Sequence, residues 1–155
     1  MDVKFINPVL NSVLNVLSTM AQLEVRPGKP SIKENTSAQG DVTGYMTMQS
    51  PQANGSMAIT FSKPAILDIT KRMLGESHEE INETILDMTG ELANMAVGGA
   101  KNILIEQGYD FNMSLPSVLS GAEHDIKHLE QETPVIIMPF ETDAGTFYVE
   151  ACFKE

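Results

Sequence analysis

One face of a predicted helix carries residues whose types and spacing suit contact with another protein. These residues are separated by four, three and four positions, so on an α-helix they form a single ridge. Glu91 can pair with a cation, and the carboxamide of Asn94 has donors and an acceptor with which to hold a water molecule. The ridge therefore combines an ion-pairing group with a water-positioning group. Its members are Asp87, Glu91, Asn94 and Gly98.

The apolar residues of the same helix lie on a different face. We predict that the helix starts at the capping box Ser77-x2-Glu80 and ends near Gly108. The apolar stripe is roughly a third of a turn away from the ridge, which leaves the ridge exposed. The stripe consists of Ile81, Ile85, Met88, Leu92, Met95, Gly99 and Ile103.

A solvated acidic surface is the simplest alternative interpretation of the ridge. Six acidic residues lie from Glu76 to Glu91 with no Lys or Arg among them. Asp87 and Glu91 are too far along the helix to gain from its dipole. The glycines of this helix also allow two interpretations. Small residues such as Gly98 let another protein come close, but they also allow close packing within the domain.

Length, charge and cysteine content restrict the class of protein. The chain has 155 residues, 42% of them hydrophobic, which is enough for one domain with a sizeable core. Its net charge is −11, and basic residues are never clustered beyond the pair Lys71-Arg72, which argues against nucleic acid and anionic membranes as partners. A single Cys152, no secretory signal and no apolar run of about 18 residues predict a cytoplasmic protein.

Hydrophobic periodicity predicts the element order helix, strands, two helices, strands. The first helix is expected to be capped by Asn7, with Pro8 in its first position, and to run to about Leu23. A short second helix is predicted between a Ser62 cap and Gly75. This order favours the α+β class, with an antiparallel sheet and helices packed on one face. Strands are predicted at 31–34, 42–49, 56–61, 135–140 and 146–153, with hairpin turns at Asn54-Gly55 and at 142–145.

Other reactive residues have simpler interpretations. His124 and His128 have a spacing seen in metal sites, but their segment alternates like a strand, on which they would be about 13 Å apart. Cys152 lies in an alternating apolar run and is interpreted as a buried residue rather than a nucleophile. An acid and base pair made of Asp87 and Glu91 would need an enclosed pocket, which one helix face does not provide.

The ridge resembles a known signature. Asp87-x3-Glu91-x2-Asn94, followed after 21 residues by Pro116, is similar to the D/S-x3-E-x2-N-x22-P motif of the CheC/CheX/FliY family of chemotaxis phosphatases. The start of the chain, Phe5-Ile6-Asn7-Pro8, resembles the CheX branch of that family. The resemblance extends over residues 1–155 and implies a single domain with the CheC-like fold.

The resemblance also implies a function and a set of site residues. In such families, the Glu pairs with the active-site lysine of a CheY-like response regulator, and the Asn orients a water that attacks the regulator's aspartyl phosphate. Glu91 and Asn94 would then be catalytic, while Asp87, Gly98 and Pro116 would contact the partner. Mg²⁺ would belong to the regulator, so this chain would need no cofactor or metal of its own.

Two further expectations concern assembly and the number of sites. Members of the CheC branch carry the Glu-x2-Asn pair on two helices, whereas here Ser12 stands three residues before Asn15 on the first helix. One site per chain follows, in a homodimer joined through the β-sheets, as the resemblance implies. The alternatives are a non-catalytic module of the same fold that binds a regulator, and a phosphatase that acts outside chemotaxis.

Overall fold

Three helices and eight strands occur in the computed structural model, which describes residues 3–121, 124–129 and 132–155. Their order is the predicted one, helix, strands, two helices, strands. The helices are α1 (Val3–Met20), α2 (Lys63–Leu74) and α3 (Glu83–Ile105). The strands are β1 (Arg26–Pro27), β2 (Ser31–Ile32), β3 (Val42–Gln49), β4 (Asn54–Phe61), β5 (Asn112–Met113), β6 (Ser117–Ser120), β7 (Ile136–Glu141) and β8 (Thr146–Lys154).

The strands form one antiparallel sheet in the order β1-β7-β8-β4-β3-β5. The short strand β2 also pairs with β7, and β6 continues the edge beyond β5 by pairing with β3. Side chains alternate between the two faces of a strand, so Met57, Ile59 and Phe61 of β4 point into the core beneath the helices. The predicted α+β fold, with an antiparallel sheet and helices packed on one face, is confirmed.

Close contacts fix the position of α3 on the sheet and against α1. At Gly44 of β3, a Cβ atom would lie 2.9 Å from the Cβ atom of Ala93, so only glycine lets the helix approach this closely. On the other side, the Ser12 hydroxyl donates a hydrogen bond of 2.6 Å to the Ala96 carbonyl and occupies the space left by Gly99. Gly99 therefore serves packing within the domain, and these contacts set which face of α3 remains exposed.

The first helix begins earlier than the Asn7 cap predicted. Helix α1 starts at Val3 and includes Pro8, which cannot donate to the Lys4 carbonyl. Packing explains the extension, because Phe5 is buried and its ring stacks on Phe153 at 5.2 Å between centroids. The apolar surface buried by this extra turn outweighs one missing hydrogen bond.

The third helix begins later than predicted. Its N-cap is Asn82, whose side chain accepts a hydrogen bond from the Ile85 amide at 3.1 Å, and the predicted capping box at Ser77 is wrong. The acidic residues at 76, 79 and 80 therefore lie in the loop before α3, where Glu80 pairs with Lys63 at 2.8 Å. At the other end the helix stops at Ile105, three residues before Gly108.

The predicted hairpins form, with one change in the turn residues. The backbone turns at 50–53, where the Ser50 amide donates to the Ala53 carbonyl, while Asn54 and Gly55 already belong to β4. Gly55 is needed there because the Phe153 ring occupies the place of a side chain. The turn at 142–145, the Ser62 cap and the left-handed Gly75 that ends α2 are as predicted.

Charged residues are buried on the face of the sheet opposite the helices. The Lys33 ammonium contacts the Glu150 carboxylate at 2.7 Å, and both side chains are less than 5% exposed. The second carboxylate oxygen of Glu150 contacts Nε2 of His128 at 3.0 Å, and Nδ1 of that ring contacts the Ser56 hydroxyl at 2.8 Å. We call these four residues the outer-face cluster. It ties residues 33 and 128, which lie outside the long strands, to the centre of the sheet.

Candidate functional site

The ridge predicted from the sequence is present on α3. Asp87, Glu91 and Asn94 are exposed and Gly98 is half-buried, while the intervening Met88 and Leu92 are buried. Within the described ranges, Glu91 and Asn94 make no side-chain hydrogen bond or ion pair. Their polar groups are therefore available to a partner without any internal contact having to break first.

A shallow, open depression of about 480 Å³ lies beside the ridge. One wall is acidic and polar and comes from α3, where Asp87, Glu91 and Asn94 line it. The other wall is apolar and comes from the edge of the sheet, together with Leu86 of α3. Leu86, Gly90, Leu115, Pro116 and Val118 complete the lining.

The structure brings Pro116 next to the ridge, although 21 residues separate it from Asn94. A Cβ atom at Gly90 would lie 3.8 Å from Cγ of Pro116 and 3.2 Å from Cγ2 of Val118, so the edge of the sheet packs directly on this part of α3. Gly98 lies outside this depression, and a Cβ atom there would meet nothing within 4 Å. The glycine thus leaves open surface further along the ridge.

Comparison with known families identifies the chain. A family model described as "Chemotaxis phosphatase CheX" matches residues 42–141, a segment that includes α3 and Pro116. The chain belongs to the CheX family.

Individual relatives agree with this membership. The CheY-P phosphatase CheX of Thermotoga maritima is 26% identical over 128 residues, which are 82% of each chain. The crystal structure of chemotaxis protein CheX from Vibrio vulnificus is 48% identical and has a TM-score of 0.90, with 97% of this chain and 99% of that chain covered.

A third relative shares the fold at lower identity. It is the structure of the CheX-CheY-BeF3-Mg²⁺ complex from Borrelia burgdorferi, which is 20% identical with a TM-score of 0.83 and covers 99% of this chain and 100% of that chain. The CheX fold is therefore retained across large sequence differences.

The remaining reactive residues have structural partners in this CheX-family chain. The strand predicted for His124 is wrong. His124 lies in a loop whose Asp125 forms an isolated β-bridge with Ser37 of another loop, and Nε2 of His124 is 2.6 Å from the Thr43 hydroxyl of β3. Cys152 is buried. Among the described residues, no group of three or more His, Cys, Asp or Glu side chains could hold a metal ion, and no helix is long and apolar enough to cross a membrane.

Sequence reasoning missed the apolar wall of the depression. Leu86 of α3 belongs to neither the ridge nor the predicted apolar stripe, and Leu115 and Val118 belong to a segment with no periodic pattern. The sequence signal for this wall was Pro116. A fold that places Pro116 beside the ridge also brings its sequence neighbours there. The wall therefore became visible only once the strand register was known.

Proposed function

We propose that this chain removes the phosphoryl group from the aspartyl phosphate of a CheY-like response regulator. The observation that supports this most directly is the placement of Glu91 and Asn94. Both are exposed, have no side-chain partner among the described residues, and lie together in one depression with Pro116. The names of the relatives point the same way, since the Thermotoga maritima protein is a CheY-P phosphatase and the Borrelia burgdorferi protein forms a complex with CheY.

The two side chains would divide the chemistry between them. Glu91 would pair with the lysine of the regulator's active site, which docks the two proteins and sets their orientation. Asn94 would reach the phosphoryl group and hold a water in line with the bond that breaks. Because phosphoryl transfer depends mostly on positioning and electrostatics, the ridge needs no nucleophile of its own.

The rest of the proposal is what the family resemblance implies. Mg²⁺ would be held by the regulator, and residues 1–155 would act as one CheX-like domain without a cofactor. Asp87 and Pro116 would contact the regulator on either side of the catalytic pair. The protein would work in the cytoplasm, where phosphorylated regulators occur, as a homodimer joined through its sheets.

Turnover separates the phosphatase from a binding module of the same fold. With a CheY-like regulator phosphorylated by acetyl phosphate, we expect this protein at one-tenth of the regulator concentration to dephosphorylate the whole population. The measurement is loss of the phosphorylated form after acetyl phosphate is removed. Decay that is unchanged, or phosphoryl groups that are retained in a one-to-one complex, would favour the non-catalytic module.

Gly98→Ala tests whether the regulator reaches this end of the ridge. The added methyl group meets no atom within 4 Å among the described residues and should raise the free energy of unfolding by up to about 1 kcal/mol. It should nevertheless raise the KM for the phosphorylated regulator several-fold, because the partner would lose its close approach. Steady-state kinetics and urea denaturation measure the two effects.

Gly99→Ala is the matched comparison for this variant. Its methyl group would collide with Ser12 between α1 and α3, so the free energy of unfolding should fall. A Gly98→Ala protein that is more stable and has an unchanged KM would exclude Gly98 from the contact.

A further inference from the structure

The most exposed large hydrophobic residue of the described chain is Leu115, at 88%. It lies in the depression that also contains Glu91 and Asn94. The other strongly exposed apolar side chains, such as Ile32 and Leu74, lie elsewhere and do not line this depression. Leu115 is not isolated, because Leu86 and Val118 line the same depression, and a contiguous apolar surface beside polar residues is typical of a site that a partner covers.

A bulge in the edge of the sheet holds Leu115 in this position. Met48 pairs with Met113 and Tyr45 pairs with Ser117, so three steps along β3 face four steps along the edge. The extra residue lies between β5 and β6. Bulges of this kind occur next to functional sites, where they redirect a side chain.

The loop that contains Leu115 is held on both sides. The amide of Ser114 donates to the Thr47 carbonyl at 3.0 Å, and the Ser114 hydroxyl accepts from the Thr47 amide at 2.9 Å. On the other side, Pro116 restricts Leu115 to extended backbone conformations. The backbone at Leu115 is therefore held in place, and little backbone freedom is lost when a partner covers the side chain.

We propose that Leu115 is an apolar anchor for the response regulator, inserting beside the regulator's phosphorylated aspartate. The proposal rests on the function proposed above. A regulator whose lysine reaches Glu91 must cover the depression, and its surface next to that lysine would have to be apolar to match Leu115 and Val118. The acidic wall and the apolar wall would then recognise different features of one partner, its lysine and an adjacent hydrophobic patch.

Leu115→Ser tests the anchor, and Leu74→Ser is the matched control because Leu74 is 50% exposed outside the depression. For Leu115→Ser, we expect the KM for the phosphorylated regulator and the Kd for the regulator loaded with BeF3⁻ and Mg²⁺ each to rise about tenfold or more. The kcat should remain within about twofold, because the groups that touch the phosphoryl group are intact. The control should match the wild type.

Two results would overturn the anchor. A Kd for Leu115→Ser that equals the wild-type value would do so. A difference in mass between free Leu115→Ser and the free wild type, measured by light scattering, would show instead that Leu115 contacts a second copy of this chain.

The Kd also separates the two proposals. If the wild type binds the BeF3⁻-loaded regulator without accelerating dephosphorylation, the phosphatase function fails, and the Kd of Leu115→Ser still decides the anchor. If the wild type does not bind, both proposals fail.

Discussion

Asn94→Ala is expected to reduce the acceleration of regulator dephosphorylation by about 100-fold or more. The carboxamide is proposed to position the attacking water, and loss of a group that acts in the transition state lowers kcat rather than weakening binding. Asn94 is exposed and makes no internal side-chain hydrogen bond among the described residues, so the substitution should leave the free energy of unfolding almost unchanged. Stopped-flow kinetics with a phosphorylated regulator measures the dephosphorylation rate, and urea denaturation measures the free energy of unfolding.

Asn15→Ala is the matched control for Asn94→Ala. Asn15 is also exposed on a helix, and it stands where a second site would be expected in the CheC branch. We expect full activity from this variant. Comparable losses with both variants would show that the first helix takes part in the reaction.

Glu91 variants separate docking from chemistry. Glu91→Gln keeps the size of the side chain and removes the charge that would pair with the regulator's lysine. We therefore expect Glu91→Gln to raise the Kd for the BeF3⁻-loaded regulator as well as to slow dephosphorylation, whereas Asn94→Ala should change the rate far more than the Kd. A normal rate with either residue changed would refute the assignment of the pair.

Glu150→Ala is expected to lower the free energy of unfolding by about 3–5 kcal/mol. The carboxylate is fully buried and is the partner of both Lys33 and His128 in the outer-face cluster. Its removal would leave the Lys33 ammonium buried without a counter-charge, which costs more than the original pair contributes. Urea denaturation followed by circular dichroism measures the loss, since the chain has no Trp for fluorescence.

Two further variants show whether burial of the charge causes the expected loss of stability. Glu80→Ala removes an exposed carboxylate from its pair with Lys63 and should have only a small effect. The double variant Lys33→Met/Glu150→Leu should recover much of the lost stability, because apolar residues of similar volume replace a buried ion pair well. A loss below about 1 kcal/mol for Glu150→Ala would mean that water reaches the cluster.

Features that depend on local spacing could be predicted from the sequence. The ridge on α3 follows from the helical repeat, so Asp87, Glu91 and Asn94 were found without knowledge of the fold. The element order and the inward face of β4 follow from hydrophobic periodicity in the same way. The catalytic roles of these residues remain proposals, since exposure and spacing do not measure activity.

Features that depend on contacts between distant segments could not be predicted. Lys33 and Glu150 are 117 residues apart, and neither carries a local sign of its partner. The bulge at Leu115 depends on which β3 residues pair with the edge strands. The early start of α1 is also a tertiary effect, because the Asn7-Pro8 cap signal is overridden by the packing of Phe5.

The contact between Ser12 and Gly99 determines whether this chain could acquire a second site like the one proposed on α3. Asn15 faces solvent, but Ser12, one turn earlier, points into the seam between α1 and α3. A Ser12→Glu substitution would place a carboxylate in that seam rather than beside Asn15, and Gly99 leaves it no space. A second Glu-x2-Asn pair would require α1 to rotate about its axis, and a different set of its residues would then have to be apolar to face the core. Helix packing therefore opposes a second site on α1, and a single substitution at Ser12 is not enough to create one.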